Sequence, residues 1–67
     1  MFGIVNRINE ERGFGFLRSH DNRTEWFFHC TSLVGLDFDQ TLLEREVEFD
    51  SVSGTKGPKA ERVRPVA

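Results

Sequence analysis

The residues best placed to do chemistry in this sequence are aromatic. They gather in two short stretches, Arg12-Gly13-Phe14-Gly15-Phe16-Leu17 and Glu25-Trp26-Phe27-Phe28-His29-Cys30. The chemistry open to exposed phenyl rings is stacking on unpaired bases. Each base so covered contributes about 1–3 kcal/mol, with little regard for its identity, because every base has a π-face. Whether the rings are exposed follows from alternation, since successive side chains of a strand point to opposite faces. In the first stretch Phe14 and Phe16 share one face, and Gly13, Gly15 and Leu17 share the other. Were the phenylalanine face the core, Leu17 would sit in solvent among polar neighbours. The opposite assignment buries Leu17 and leaves both rings outside with Arg12 and Arg18, an arrangement that is costly unless something covers it. The two glycines flanking Phe14 imply a backbone that bends sharply or is approached closely. In the second stretch Trp26, Phe28 and Cys30 form the bulkier apolar set and are assigned inward, which turns Phe27 and His29 outward with Glu25. If the two stretches pair as a hairpin, three phenylalanines and a histidine make one surface platform.

The elements that must position this platform are short and β-like. Runs rich in β-branched and aromatic residues cover Gly3 to Asn9, Phe14 to Ser19, Glu25 to Cys30, Glu46 to Val52 and about Pro58 to Arg64. Polar or glycine-containing turns separate them at His20–Arg23 and Ser53–Gly57. The connection from Thr31 to about Glu44 carries Gly35 and is expected to hold one helical turn. No stretch repeats apolar residues at helical spacing for three turns. The predicted fold is all-β, with five strands that can close on themselves and so hide their edges. The 67 residues suit a single domain, 1–67, of modest stability.

Composition narrows the function classes. Cys30, a lone cysteine, can form no internal disulfide, and His20 and His29 have no evident ligand partners, so neither a metal nor a cofactor is expected. A chain without paired cysteines suits a reducing cytoplasm. No apolar run approaches the roughly 18 residues of a membrane span, and the first residues lack the apolar centre of a signal peptide. No nucleophile–base pair or phosphate-cradling loop is present, which argues against an enzyme and a small-molecule substrate. The net charge of −2 disfavours nucleic acid until its distribution is considered. Asp37, Asp39, Glu44, Glu46, Glu48 and Asp50 are concentrated in one segment that holds Arg45 alone as a cation, while the remainder is neutral to basic. Such a chain can present a basic face while acidic overall. Cys30 reads as a small filler, Trp26 as core or rim, and Phe38 as either a loop aromatic or loop packing.

The first stretch resembles the RNP1 motif of the cold-shock protein family, and Trp26-Phe27-Phe28-His29-Cys30 resembles its RNP2. Their order, RNP1 before RNP2, matches that family and reverses the order of RRM domains. Gly57-Pro58-Lys59-Ala60 is similar to the family's glycine-proline-glutamine-alanine signature, and Asn9 with Glu11 resembles its first-strand ending. These matches span essentially the whole chain. The resemblance implies a five-stranded antiparallel OB-type β-barrel that binds single-stranded RNA and DNA with low sequence specificity, as a nucleic-acid chaperone or expression regulator. By position it implies stacking by Phe14, Phe16, Phe27, His29 and Phe38, and phosphate contacts from Arg12, Lys56 and Lys59. Asn6 stands where the family usually has a backbone-contacting lysine, and Glu25 where an aspartate can accept hydrogen bonds from a base. The sequence departs from the pattern at Arg7-Ile8, in place of a tryptophan-phenylalanine pair, and at Cys30, in place of an aromatic. With two stacking surfaces missing, affinity is expected to be weaker than for a fully aromatic relative. Arg7, whose guanidinium can stack and also pair with phosphate, is expected to compensate in part and to steepen the salt dependence. The alternative reading is a structural or protein-interaction barrel with weakened nucleic-acid binding. The molecule is expected to be a monomer, or a dimer that exchanges strands through the long loop.

Overall fold

In the computed structural model, which describes residues 1–55 and 57–66, the runs of β-forming residues become five strands. These are β1 (Phe2–Asn9), β2 (Phe14–Arg18), β3 (Glu25–His29), β4 (Glu46–Gly54) and β5 (Gly57–Pro65). They close into a barrel in the order β1-β2-β3-β5-β4, with β4 returning to pair with β1. Four of the pairings are antiparallel, as expected. The pairing that closes the ring, β3 with β5, is parallel and registers Phe27 against Lys59. Consecutive hairpins cannot make that contact, because β5 reaches β3 only after the long connection has crossed one end of the barrel.

Two turns set the platform's frame. Between β1 and β2 the Asn9 side chain accepts from the Arg12 amide at 3.1 Å, and the Asn9 carbonyl accepts from the Gly13 amide at 2.8 Å. Gly13 completes this turn at φ +76°, a left-handed conformation that glycine adopts without a Cβ penalty. Between β2 and β3 the Ser19 hydroxyl oxygen accepts from the amides of Arg23 and Thr24, while the Asp21 carboxylate accepts from the Ser19 hydroxyl and the Arg23 amide. Those bonds, the Ser19 hydroxyl first, hold the Asp21 carboxyl below its ordinary pKa.

Inside lie Val5, Leu17, Trp26, Phe28, Leu42, Val47, Phe49, Ala60 and Val63, all buried. Each large side chain taken from water contributes about 1.5–3 kcal/mol. Trp26 packs against Phe49 at 4.8 Å between ring centroids, and its indole N–H donates to the Ser51 hydroxyl at 3.0 Å. The long connection forms two single 3₁₀ turns, Cys30–Ser32 and Gln40–Leu42, where one helical turn was expected. Each is started by a side-chain cap, His29 accepting from the Thr31 amide and Asp39 from the Thr41 amide. The second turn delivers Leu42 into the core.

Two bulges interrupt strict alternation. Between Val5 and Arg7 the β1–β2 register shifts, leaving Asn6 as the extra residue. In β5, Arg62 and Val63 together face the single residue of β4 between Glu48 and Asp50, and Arg62 takes φ +48°. Because of this bulge Ala60 and Val63, three positions apart, both point inward.

Candidate nucleic-acid interface

The β2–β3 hairpin registers Phe14 with His29, Phe16 with Phe27 and Arg18 with Glu25 on one face, and Gly15 with Phe28 and Leu17 with Trp26 on the other. The second set is buried. Gly15 lets the inner layer close: a Cβ there would lie 2.6 Å from the Arg7 carbonyl oxygen and 2.8 Å from the Phe28 ring. The outer set brings Phe14, Phe16 and Phe27 together, with ring centroids 6.0 Å apart for Phe14–Phe16, 5.7 Å for Phe14–Phe27 and 5.8 Å for Phe16–Phe27. Each ring is partly buried by the other two and keeps part of its surface in solvent. The three form one continuous apolar surface on the outside of the barrel.

His29 extends this surface and is exposed. Its Nδ1 accepts from the Thr31 amide at 3.2 Å and lies 2.9 Å from the Thr31 hydroxyl, so the neutral ring carries its proton on Nε2, the nitrogen left free for an outside partner. Open grooves border the trio. One is lined by Phe16, Phe27, Thr55, Pro58 and Lys59, a second by Arg7, Asn9, Phe14 and Phe16, and a third by Phe27, His29, Thr31 and Arg62. None is the enclosed cavity that a small molecule needs. Flat groups laid in sequence along the surface fit it better. Pro58 and Thr31 are lining residues that the sequence reading did not assign to the site, although Pro58 lies in the glycine-proline signature.

Of the remaining candidates, Asn6, Arg7 and Glu25 form one cluster. Asn6 Nδ2 donates to Glu25 Oε2 and Arg7 Nη2 to Glu25 Oε1, both at 3.0 Å. The Arg7 guanidinium also stands 4.6 Å from the centroid of Phe16. Arg7 thus faces the platform in an ion pair with Glu25 that leaves 63% of its side chain exposed. Arg12 is exposed in the turn before Phe14. Lys59 reaches the groove beside Phe16 and Phe27 while pairing with Glu61 at 3.7 Å. Phe38 stands apart from the trio and packs edge-on against buried Phe28, 6.3 Å between centroids. Lys56 lies outside the described residues.

The charges of β4 and β5 satisfy one another. Arg62 Nε donates to Asp50 at 2.6 Å, and Arg64 lies 3.5 Å from Glu48 and 3.6 Å from Asp50. The hydrogen bond from Arg62 holds the Asp50 carboxyl below its ordinary pKa. The strands carrying the acidic segment thus consume the arginines of the last strand.

Comparison with known proteins agrees with this geometry. The family model described as the 'Cold-shock' DNA-binding domain matches residues 1–66. The chain is 38% identical over 63 residues to the cold shock-like protein CspI of Escherichia coli K12, covering 94% of this chain and 90% of that protein. It is 36% identical over 62 residues to a cold shock-like protein of Aquifex aeolicus, covering 92% and 89%. Among solved structures it is similar to Drosophila Unr CSD456, with a TM-score of 0.73 and 28% identity. That match takes in 98% of this chain and 26% of the Unr chain. Among the described residues no helix is long and apolar enough to cross a membrane.

Proposed function

This chain belongs to the cold-shock domain family, a family of nucleic-acid-binding, non-enzymatic domains, and we propose that it binds single-stranded RNA and DNA by stacking successive bases on the outer face of β2 and β3. The observation that carries this reading is the contiguous trio Phe14, Phe16 and Phe27, three rings in mutual contact with solvent above them. Stacking is tolerant of sequence, so specificity is low. Arg12 and Lys59 steer the phosphates, Lys56 adds a further cation, and His29 offers its Nε2–H to a base edge or phosphate at the end of the platform. Phe38, packed edge-on against Phe28 and apart from the trio, offers a separate loop ring. The biological use that fits such binding is to keep RNA unstructured or to regulate expression, by a cytoplasmic protein acting as one domain, as a monomer or a strand-exchanged dimer.

Titration with a short oligothymidine at low salt tests the reading. Phe14→Ala and Phe27→Ala are each expected to weaken binding by about 1–3 kcal/mol while the variants still unfold cooperatively. The logarithmic salt slope, about −0.7 per phosphate engaged, counts how many of the steering cations take part. Undetectable binding by the unmutated protein would overturn the proposal in favour of a protein-interaction barrel. Tryptophan emission is a poor reporter, because Trp26 is 4% exposed and faces the core. Anisotropy of a labelled oligonucleotide avoids that problem.

A further inference from the structure

The cluster at the β1 edge of the platform raises a question of its own, because it gives an acidic side chain a place beside a surface meant for a polyanion. A carboxylate there should repel phosphate and weaken binding. Its contacts point the other way. The bulge at Asn6 puts two consecutive side chains, Asn6 and Arg7, within reach of one carboxylate across the outer face. Glu25 divides its oxygens between them, Oε2 to Asn6 and Oε1 to Arg7, each at 3.0 Å. Arg7 is thereby held with its guanidinium over Phe16, 4.6 Å from the ring centroid, while 63% of its side chain stays open to solvent.

Resting on the function proposed above, we infer that Glu25 is a positioning residue, holding Arg7 over Phe16 as an additional plane on which a base of single-stranded nucleic acid stacks. Exposed ion pairs and exposed cation–π contacts are individually weak. Acting on the same guanidinium, they restrict a long side chain to one arrangement before the ligand arrives, so less ordering entropy is lost on binding. A guanidinium plane stacks on bases as an aromatic ring does. Because Glu25 cancels its charge, Arg7 contributes stacking surface in place of net attraction to phosphate. Each oxygen of Glu25 accepts one bond from a β1 side chain, and the bond on Oε1 is the one that holds Arg7.

A double-mutant cycle at one moderate ionic strength tests this, since any direct repulsion between Glu25 and phosphate acts in both backgrounds and is removed by the difference. Anisotropy titrations with a labelled oligothymidine are run on the unmutated protein, Glu25→Gln, Arg7→Ala and the double variant. Glu25→Gln is expected to weaken binding by up to about fivefold in the unmutated background and not to weaken that of Arg7→Ala. In the free protein, the upfield ring-current shift of the Arg7 side-chain protons above Phe16 should collapse in Glu25→Gln. Unchanged or tighter binding by Glu25→Gln, an equal loss in both backgrounds, or a persistent ring-current shift would overturn the inference while leaving the function proposed above standing. Failure of the unmutated protein to bind oligothymidine even at low salt would overturn both.

Discussion

The β2–β3 hairpin carries phenylalanine on both faces, and the two faces put it to different use. Inside, Phe28 is fully buried, with its ring against Gly15 and Phe38 edge-on at 6.3 Å. Outside, Phe14, Phe16 and Phe27 have one another, with Arg7 above Phe16, and remain partly in solvent. The β4–β5 outer surface offers a third case, in which Glu48 and Asp50 are matched by Arg62 and Arg64. An outward strand face can thus be completed by ion pairs, whereas the aromatic one keeps apolar surface in water. That asymmetry marks the binding face, since residue type alone does not distinguish Phe28 from Phe27.

The comparison can be broken most forcefully from the inside. Phe28→Ala should cost about 3–5 kcal/mol, enough to leave a domain of this size largely unfolded in a chemical-denaturation experiment. Gly15→Ala attacks the boundary between the layers. Its new methyl would collide with the Arg7 carbonyl oxygen and the Phe28 ring, and a loss of about 1–3 kcal/mol is expected from the same measurement. On the ion-paired surface the effects are smaller. Arg62 sits at φ +48° in the β5 bulge, so Arg62→Gly should be more stable than Arg62→Ala by about 1 kcal/mol. Both variants lose the same contacts to Asp50, and the difference isolates the backbone. The smallest effect concerns pH. Asp50 is held below its ordinary pKa by Arg62 in the folded chain, so its contribution is complete above the usual aspartate range and disappears as the pH falls through its lowered folded value. The stability of Asp50→Asn, followed by thermal melting, should therefore fall less on acidification than that of the unmutated protein.

Much of this was legible because the hairpin keeps its alternation in phase. With Phe16 opposite Phe27 and Leu17 opposite Trp26, a period of two sorts every side chain of β2 and β3 onto the right face. Val47 and Phe49 in β4 follow the same rule. It fails at the bulges. In β1, Val5 points inward, and a strict count would send Arg7 inward as well. The extra residue at Asn6 reverses the parity, so that Arg7 meets Glu25 outside and Ile8 packs on the core. In β5 the Arg62 bulge does the same for Ala60 and Val63. Neither bulge has a glycine to announce it. The parallel contact of β3 with β5 was equally hidden, since it joins residues distant in sequence by no local signal. Lys59 is brought beside Phe27 by that contact, which explains how a cation of the last strand comes to border a platform built on the second and third.

The account turns on which outer surface meets the ligand, and amide chemical-shift mapping with a short oligothymidine reads this directly. The largest perturbations are expected at Phe14, Phe16, Phe27 and His29, with Glu48, Asp50 and Arg64 nearly unmoved. Perturbations centred on the β4–β5 surface, with the phenylalanine amides unchanged at saturation, would contradict it.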